Sequence, residues 1–142
     1  MDLHEAVKWV QSFQDSTGPF LRSLCKRKHV VCGVFYRNKR VLRTRAIQEN
    51  GPPGDQVDLC TGVIGDCGCI HAEQRAARFS ARGKNLVWIT TYSPCLSCAN
   101  LAIALDSVKE WYWLIDAPHH PRGPERLKEF GIKGGLYVAE TS

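Results

Sequence analysis

The sequence predicts an α/β/α sandwich, a three-layer fold in which helices cover both faces of one mixed five-stranded sheet. A helical apolar pattern opens the chain, two β-rich runs joined by a short turn follow, and helical and strand patterns then alternate. The two adjacent runs predict an antiparallel first pair of strands, and the alternation predicts an α/β sheet. The 142 residues suit one domain, spanning 1–142, with a sizeable single core.

The first half of the chain predicts helices and a hairpin. Leu3, Val7 and Val10 recur at helical spacing, and Gly18-Pro19 should interrupt that helix. The predicted elements of this half are a helix from residue 3, a short helix at 20–24, strands at 30–36 and 41–48 around a turn at 37–40, and an irregular loop at 50–69. Loops of this length in a compact domain are often functional.

The second half alternates helices with strands. Gly83 should end one helix as its left-handed residue, and Ser93 with Pro94 should begin another as N-cap and first helical residue. The predicted elements of this half are a helix at 71–82, a central strand at 86–91, a helix at 93–106, a strand at 111–115, a helix at 124–131 and a strand at 136–139. Ligands of open α/β sheets bind beyond the carboxyl ends of strands, so two of these helix starts can meet at one rim.

Four side chains at those two helix starts predict a catalytic metal centre. The sequence His-Ala-Glu begins at His71, and the sequence Pro-Cys-Leu-Ser-Cys places thiols at Cys95 and Cys98. Catalytic zinc sites have three protein ligands and a place for water, whereas structural sites usually close with four. We therefore predict that His71, Cys95 and Cys98 hold zinc and that Glu73 stays free for acid–base work.

The spacing of these residues suits hydrolytic chemistry. The i, i+3 spacing of Cys95 and Cys98 puts both sulfurs on one helix face, and the helix N-terminus should lower the pKa of both thiols. Zinc lowers the pKa of water to roughly 7, and Glu73 can take the proton and return it to a ring nitrogen and a leaving amine. A bare Cys-x-x-Cys also occurs as a redox pair or as half of a structural zinc site. The conjunction of both motifs, with a strand between them, favours catalytic zinc.

These motifs resemble those of the cytidine deaminase-like superfamily, in which a histidine and two cysteines hold zinc and a glutamate carries the proton. The likeness follows the element order from about residue 30 to residue 138 and is closest to the deoxycytidylate (dCMP) deaminases. Residues 50–54 are similar to that family's Asn-Gly-x-Pro-x-Gly loop, residues 69–73 to its Cys-x-His-Ala-Glu sequence, and residues 90–95 to its Ser-Pro-Cys segment.

The resemblance implies a reaction and a set of roles. The reaction is hydrolysis of the 4-amino group of a cytosine nucleotide, dCMP or a modified dCMP, to dUMP and ammonia, with Glu73 as proton shuttle. The Ala72 amide would bind the base carbonyl, Asn50 would contact sugar or base, and the Ser93 carbonyl would receive the amino group. The chain departs from the family in a loop that is one residue short after Asn50 and in Arg75, which replaces a frequent asparagine. A different aminated base therefore stays open as the substrate.

The charge of the chain leaves the partner class partly open. A formal net charge of +5 suits nucleotides or nucleic acid, although a solvated basic surface is the simpler interpretation. A deaminase of bases in RNA or single-stranded DNA is therefore an alternative, but no Lys/Arg tail supports it. A noncatalytic, zinc-stabilised binding module is a third interpretation, and such a module would not need Glu73.

The cysteine content predicts that the protein lies in a reducing compartment. Seven cysteines without a secretory signal indicate reduced thiols in the cytoplasm, and no apolar run is long enough to cross a membrane. Cys60, Cys67 and Cys69 precede the His-Ala-Glu sequence and are either ordinary thiols or a second, structural zinc site, which Cys25 or a histidine would complete. By resemblance alone, we expect a homo-oligomer.

Two further groups of side chains have alternative roles. Trp111 and Trp113 share one face of a predicted strand, where they either pack in the core or offer a stacking platform for a base. Arg43 and Arg45 share one face of the second strand and are either phosphate contacts or ordinary exposed arginines.

Overall fold

A computed structural model of the chain describes residues 1–14, 29–63, 67–80, 84–117 and 120–138. Its helices and strands are α1 (Leu3–Gln14), β1 (Val31–Asn38), β2 (Val41–Glu49), α2 (Ala72–Ala76), β3 (Leu86–Tyr92), α3 (Leu96–Leu105), β4 (Val108–Ile115), α4 (Arg122–Glu129) and β5 (Lys133–Leu136). Short 3-10 helices lie at Pro53–Asp55, Val57–Leu59 and Ala77–Phe79. The predicted break at Gly18-Pro19, the helix at 20–24 and the left-handed Gly83 lie outside the described residues, as do Cys25 and the end of the last predicted strand.

The strands form one mixed five-stranded sheet in the order β2-β1-β3-β4-β5. β1 pairs antiparallel with both β2 and β3, whereas β3, β4 and β5 run parallel to one another. The β1–β2 hairpin turns through Lys39, whose φ of 59° is the left-handed conformation that such turns require. The predicted antiparallel first pair and mixed sheet are therefore confirmed.

Helices cover both faces of this sheet, because its inner strands are apolar on both sides. In β1 and β3 the alternating side chains divide between two clusters of buried residues. One cluster packs under α1 and contains Ala6, Val7, Val10, Val31, Phe35, Leu42, Val87 and Ile89. The other packs under α2, α3 and α4 and contains residues such as Cys32, Val34, Ala72, Trp88, Cys98, Ala102, Trp111 and Leu127. The three-layer α/β/α sandwich is thus confirmed.

Helix α2 is shorter than predicted, and Ser80 explains the difference. The predicted helix at 71–82 is helical only to Ala76 and then tightens into a 3-10 turn that ends before Ser80. Ser80 is fully buried; its hydroxyl accepts a hydrogen bond from Trp88 Nε1 at 3.0 Å, and its carbonyl accepts one from the Ser107 hydroxyl at 2.6 Å. These long-range bonds draw the chain into the core and end the helix.

The final strand lies three residues earlier than predicted, because a glycine pair that looks like a loop is part of the sheet. Gly134 pairs with Trp111 in the β4–β5 ladder at a φ of 125°. A Cβ atom there would lie 2.1 Å from the Trp111 carbonyl oxygen, so only glycine permits this approach. β4 likewise begins three residues early, at Val108, which is buried and pairs with Leu86 of β3.

The two tryptophans of β4 belong to the core. Trp111 is fully buried, and its Nε1 donates to the Thr90 hydroxyl at 2.8 Å. Trp113 is nearly buried, and its Nε1 donates to Asp116 at 2.7 Å. Burial of both side chains supports core packing, the simpler of the two interpretations. Within the described ranges, no helix has the length and apolar character needed to cross a bilayer.

Candidate active site

The first helix start of the site is held in place by hydrogen bonds around His71. His71 is the N-cap of α2 in extended conformation, and its N–H donates to the Gln74 side chain at 2.9 Å. The preceding residue, Ile70, forms an isolated antiparallel bridge with Gly51, through hydrogen bonds of 2.7 and 3.1 Å. The chain around residue 51 therefore lies beside the segment that leads directly into His71.

The second helix start differs from the prediction, because Cys95 rather than Ser93 caps α3. The helix begins at Leu96, and the Cys95 sulfur accepts the Cys98 N–H at 3.5 Å. The Ser93 hydroxyl instead accepts the Ala117 N–H at 2.7 Å, so it joins the end of β3 to the chain after β4. Pro94 consequently lies before the helix and not in its first turn. The predicted end is close, with Asp106 as a left-handed C-cap after Leu105.

Helix α4 packs closely against the chain just before α3. Gly123, in the first turn of α4, is buried against the backbone of Pro94. A Cβ atom at Gly123 would lie 2.0 Å from the Pro94 carbonyl oxygen, so α4 can pack here only because the residue is glycine. α4 begins at Arg122, two residues before the predicted start at Pro124.

The structure brings the three predicted metal ligands together. The ring nitrogen and two sulfurs of His71, Cys95 and Cys98 all lie within 4.8 Å of one another. His71 Nδ1 is 3.3 Å from Cys98 Sγ and 3.8 Å from Cys95 Sγ. In a tetrahedral zinc site with usual bond lengths, nitrogen and sulfur ligands are about 3.6 Å apart. Both the donor types and their spacing therefore fit a zinc ion.

Glu73 lies beside this cluster and is shielded from water. Its side chain is only 5% exposed, on the second residue of α2. Burial raises the pKa of the Glu73 carboxyl, and a hydrogen bond from its own backbone N–H and the charge of His71 partly offset that increase. A carboxyl group with a raised pKa can hold and release a proton nearer to neutral pH, which a general acid/base requires.

The two thiols have opposite tendencies, whereas the sequence predicted a lowered pKa for both. A hydrogen bond from the Cys98 thiol lowers the pKa of Cys95 to about 3. The same bond raises the pKa of Cys98, and burial raises it further. The mutual contact of the two thiols, and not only the helix N-terminus, therefore sets the direction of each pKa.

The three residues expected to contact substrate lie on separate segments. Asn50 is buried, and its side-chain oxygen accepts the Val30 N–H at 2.8 Å. Ala72 is fully buried as the first residue of α2, where the helix itself does not use the backbone N–H. Ser93 is buried between β3 and α3, two residues before Cys95.

Sequence reasoning missed two residues around the site. Cys32 of β1 is fully buried in the same cluster as Ala72 and Cys98, and its pKa is raised by burial and also by the charge of Glu73. Alternation along β1, which puts Cys32 on the same face as Val34, was the available signal. Arg75 was noted only as a departure from a family pattern, yet its guanidinium bonds the loop around Asn50.

A second group of potential metal ligands lies in the long loop. The sulfurs of Cys60, Cys67 and Cys69 all lie within 4.8 Å of one another. Cys60 is fully buried, and the Thr61 N–H donates to the Cys67 carbonyl at 3.0 Å, which folds the loop back on itself.

Arg43 and Arg45, the candidate phosphate contacts, are exposed on the edge strand β2.

No protein-family model matches the chain, and no curated protein matches it in sequence. Solved structures do match it. The apo form of the dCMP deaminase from cyanophage S-TIM5 has a TM-score of 0.66 and 22% sequence identity, over 96% of this chain and 100% of that one. The same enzyme in complex with dCMP and dUMP has a TM-score of 0.66 and 20% identity, over 94% and 95% of the two chains.

A second enzyme has the same architecture. The Rib2 deaminase of Aspergillus oryzae, a C-terminal deletion mutant in complex with DARIPP, has a TM-score of 0.62 and 16% identity, over 96% of this chain and 84% of that one. At these identities the likeness establishes the fold. The chain described here therefore has the cytidine deaminase-like fold, which it shares with dCMP deaminase and other deaminases.

Proposed function

We propose that residues 1–142 form a single zinc-dependent deaminase domain that hydrolyses the 4-amino group of a cytosine nucleotide, dCMP or a modified dCMP. The products are the uracil nucleotide and ammonia. The observation that carries the proposal is the convergence of His71 Nδ1 with the sulfurs of Cys95 and Cys98 beside the buried Glu73. A purely structural zinc site has no use for an adjacent, unbound carboxyl group.

This arrangement suggests separate roles for the three metal ligands and for Glu73. His71, Cys95 and Cys98 would hold zinc, which when bound supplies a Lewis acid that lowers the pKa of water to roughly 7. Glu73 takes one proton from water and delivers it to the ring nitrogen, and it then takes the second proton from the added hydroxyl group and delivers it to the leaving amine. Because burial raises the Glu73 pKa, the carboxyl group can both accept and donate that proton.

Substrate placement is proposed from the backbone around the site. The Ala72 N–H, at the start of α2, binds the base carbonyl, since the positive end of a helix favours an acceptor. Asn50 contacts the sugar or the base, and the Ser93 carbonyl receives the amino group that leaves. These roles are carried over from the sequence resemblance, and the burial of all three residues near the helix starts supports them.

A cytosine nucleotide is the first choice of substrate for two reasons. One solved neighbour is a dCMP deaminase crystallised with dCMP and dUMP. The net charge of +5 also favours an anionic ligand. The fold alone does not settle the base, because another neighbour was crystallised with DARIPP.

A substrate panel tests the proposal. The purified zinc-loaded protein is incubated with dCMP, a 5-substituted dCMP, CMP, deoxycytidine, guanine and a cytosine-containing single-stranded oligonucleotide. We expect ammonia release and a uracil product from dCMP or its 5-substituted analogue, with kcat/KM at least about tenfold above the nucleoside, because the phosphate adds binding energy. Product identification by mass spectrometry is the measurement.

The same panel separates the alternatives. Faster turnover of the oligonucleotide than of any mononucleotide would make the protein a polymer deaminase. Zinc bound at one equivalent without ammonia from any compound would favour a noncatalytic binding module. The panel also includes substrates with an altered base, because the chain departs from the family pattern after Asn50 and at Arg75.

We also propose that Cys60, Cys67 and Cys69 hold a second, structural zinc. Support comes from three sulfurs within 4.8 Å, one of them fully buried, in a loop with little regular structure. Thiolates are the preferred ligands of structural zinc, and such sites contribute directly to folding. Completion of the site by Cys25, as the sequence suggests, falls outside the described residues.

Metal analysis distinguishes the two zinc sites. We expect about two zinc ions per chain in the wild type and about one in Cys67→Ser, with a lowered melting temperature but retained deaminase activity. Cys95→Ser should lose the other ion. One zinc in the wild type that Cys67→Ser leaves unchanged would show that the three loop cysteines are ordinary thiols.

The proposal includes a cytoplasmic location and a homo-oligomeric assembly, carried over from the sequence. The cysteine content of the sequence supports a reducing compartment. Phe130 and Val138 are 62% and 72% exposed, so apolar side chains are available on the surface for a second copy. Sedimentation of the purified protein checks the assembly.

A further inference from the structure

Arg75 makes two side-chain hydrogen bonds to the chain beside Asn50. Its Nη1 donates to the Glu49 carbonyl and its Nη2 to the Pro52 carbonyl, each at 3.1 Å. These carbonyls lie on either side of Asn50-Gly51. One planar guanidinium group, with donors in a fixed fork, therefore spans the two residues at the start of the loop.

Gly51 lies against the guanidinium group. A Cβ atom at Gly51 would lie 3.4 Å from Arg75 Nη2, which is an ordinary van der Waals distance. Gly51 also exchanges both backbone hydrogen bonds with Ile70, the residue before His71. The loop is thus joined to the start of α2 by backbone bonds and to the fourth residue of α2 by Arg75.

Asn50 is held from the opposite direction by Val30. The Asn50 N–H donates to the Val30 carbonyl at 3.1 Å, and the Asn50 side-chain oxygen accepts the Val30 N–H at 2.8 Å. Its side-chain oxygen is therefore committed to the scaffold, and its orientation depends on how the flanking backbone is held. Arg75 is the side chain that bonds this backbone on both flanks.

We propose that Arg75 is a positioning residue for nucleotide binding, which holds the Asn50 loop at a set distance from the metal-binding helix α2. The inference rests on the proposed function, because it takes Asn50 as a substrate contact. The Arg75 backbone N–H donates to the His71 carbonyl within α2, whereas the proposed role belongs to its guanidinium group. It acts through the loop, so its loss changes substrate affinity more than the chemical step.

Arg75→Lys tests the role while it keeps the positive charge near Glu49. A lysine ammonium cannot bond both carbonyls with the geometry of the guanidinium fork. We expect the KM for the best substrate of the panel to rise about tenfold with kcat changed less than about twofold, because loop placement affects binding. Zinc content should stay at the wild-type value. Arg78→Lys, three residues further on at an exposed position, is the matched control and should match the wild type.

A double-mutant cycle tests whether Arg75 acts through Asn50. Asn50→Asp keeps a side-chain oxygen for the Val30 N–H but removes the amide donor. In that background, Arg75→Lys should raise KM by less than about twofold, because the contact that Arg75 positions has already been lost. Fully additive effects would show that Arg75 acts elsewhere and would overturn the inference.

Hydrogen exchange provides a readout that does not depend on activity. The Gly51 and Ile70 amides should exchange faster in Arg75→Lys than in the wild type or Arg78→Lys, because the loop loses its side-chain anchor. Unchanged exchange, or faster exchange with an unchanged KM, rejects the positioning role. Absence of any deaminase activity in the wild type would instead reject the proposed function, and exchange would still test the anchor.

Discussion

Replacement of Glu73 by glutamine is expected to lower kcat by about 10² to 10⁴ while zinc stays bound. Glutamine has nearly the same shape as glutamate and fits the same buried position, but it cannot carry a proton between water and the leaving amine. His71, Cys95 and Cys98 are unchanged in this variant, so the metal should remain. Ammonia release measured together with zinc content by mass spectrometry provides the test.

The control for this variant is Glu129→Gln, which makes the same chemical change at a carboxylate that is largely exposed on α4. It should have wild-type turnover, since Glu129 pairs only with Arg126 of the same helix among the contacts described. If Glu73→Gln with its full zinc content turned over substrate at the wild-type rate, Glu73 would not be the proton shuttle. A variant that lost zinc as well would be repeated with added metal before comparison.

Replacement of Cys95 by serine is expected to weaken zinc binding and to reduce turnover below detection when free zinc is buffered. The substitution removes a soft thiolate ligand, and zinc binds thiolates far better than hydroxyls. It also retains the local fold, because Cys95 is the N-cap of α3 and serine is a preferred N-cap residue. Zinc content, activity and helical circular dichroism are measured on the same sample.

Ser97→Ala is the matched control, because Ser97 lies in the same helical turn and is exposed. It should keep both zinc and activity. Chelation of zinc from the wild type should abolish turnover, and addition of zinc should restore it. If Cys95→Ser kept zinc at the wild-type affinity with full turnover, Cys95 would not be a metal ligand and the proposed three-ligand site would be wrong.

Glu73→Gln and Cys95→Ser are expected to differ in zinc content, so the two variants together distinguish proton transfer from metal binding. Loss of activity with zinc retained indicates a defect in proton transfer. Loss of both activity and zinc indicates a defect in metal binding. The structural basis is that Glu73 is buried in α2, two residues after His71, so that the proposed proton carrier and a proposed metal ligand are near neighbours in the chain. A general defect in folding would instead lower both readouts in both variants, together with the circular dichroism signal.

Prediction from sequence succeeded where the signal was local. The apolar spacing of Val7 and Val10 predicted α1, and the two β-rich runs predicted the first hairpin. The buried apolar run at 86–91 predicted the central strand, which the structure extends by one residue. Such patterns depend on neighbours along the chain, so a sequence displays them directly.

The boundaries that were predicted wrongly depend on residues far apart in sequence. Ser80 ends α2 because it bonds Trp88 and Ser107, and nothing near residue 80 indicates a break. Ser93 looks like an N-cap, yet its hydroxyl accepts the Ala117 N–H, which leaves Cys95 to cap the helix. In each case a buried polar group is satisfied by a distant partner, because an unpaired one would be costly.

The amino-acid sequence by itself determined the types of the proposed metal ligands, the presence of an acid two residues after His71 and the alternation of strands and helices. The tertiary structure decided which residue caps α3, how far α2 extends, and that Arg75 bonds the loop around Asn50. The difference has one physical cause. Residue types and their spacing are properties of the chain, whereas burial and the choice among hydrogen-bond partners are known only when distant segments have packed together.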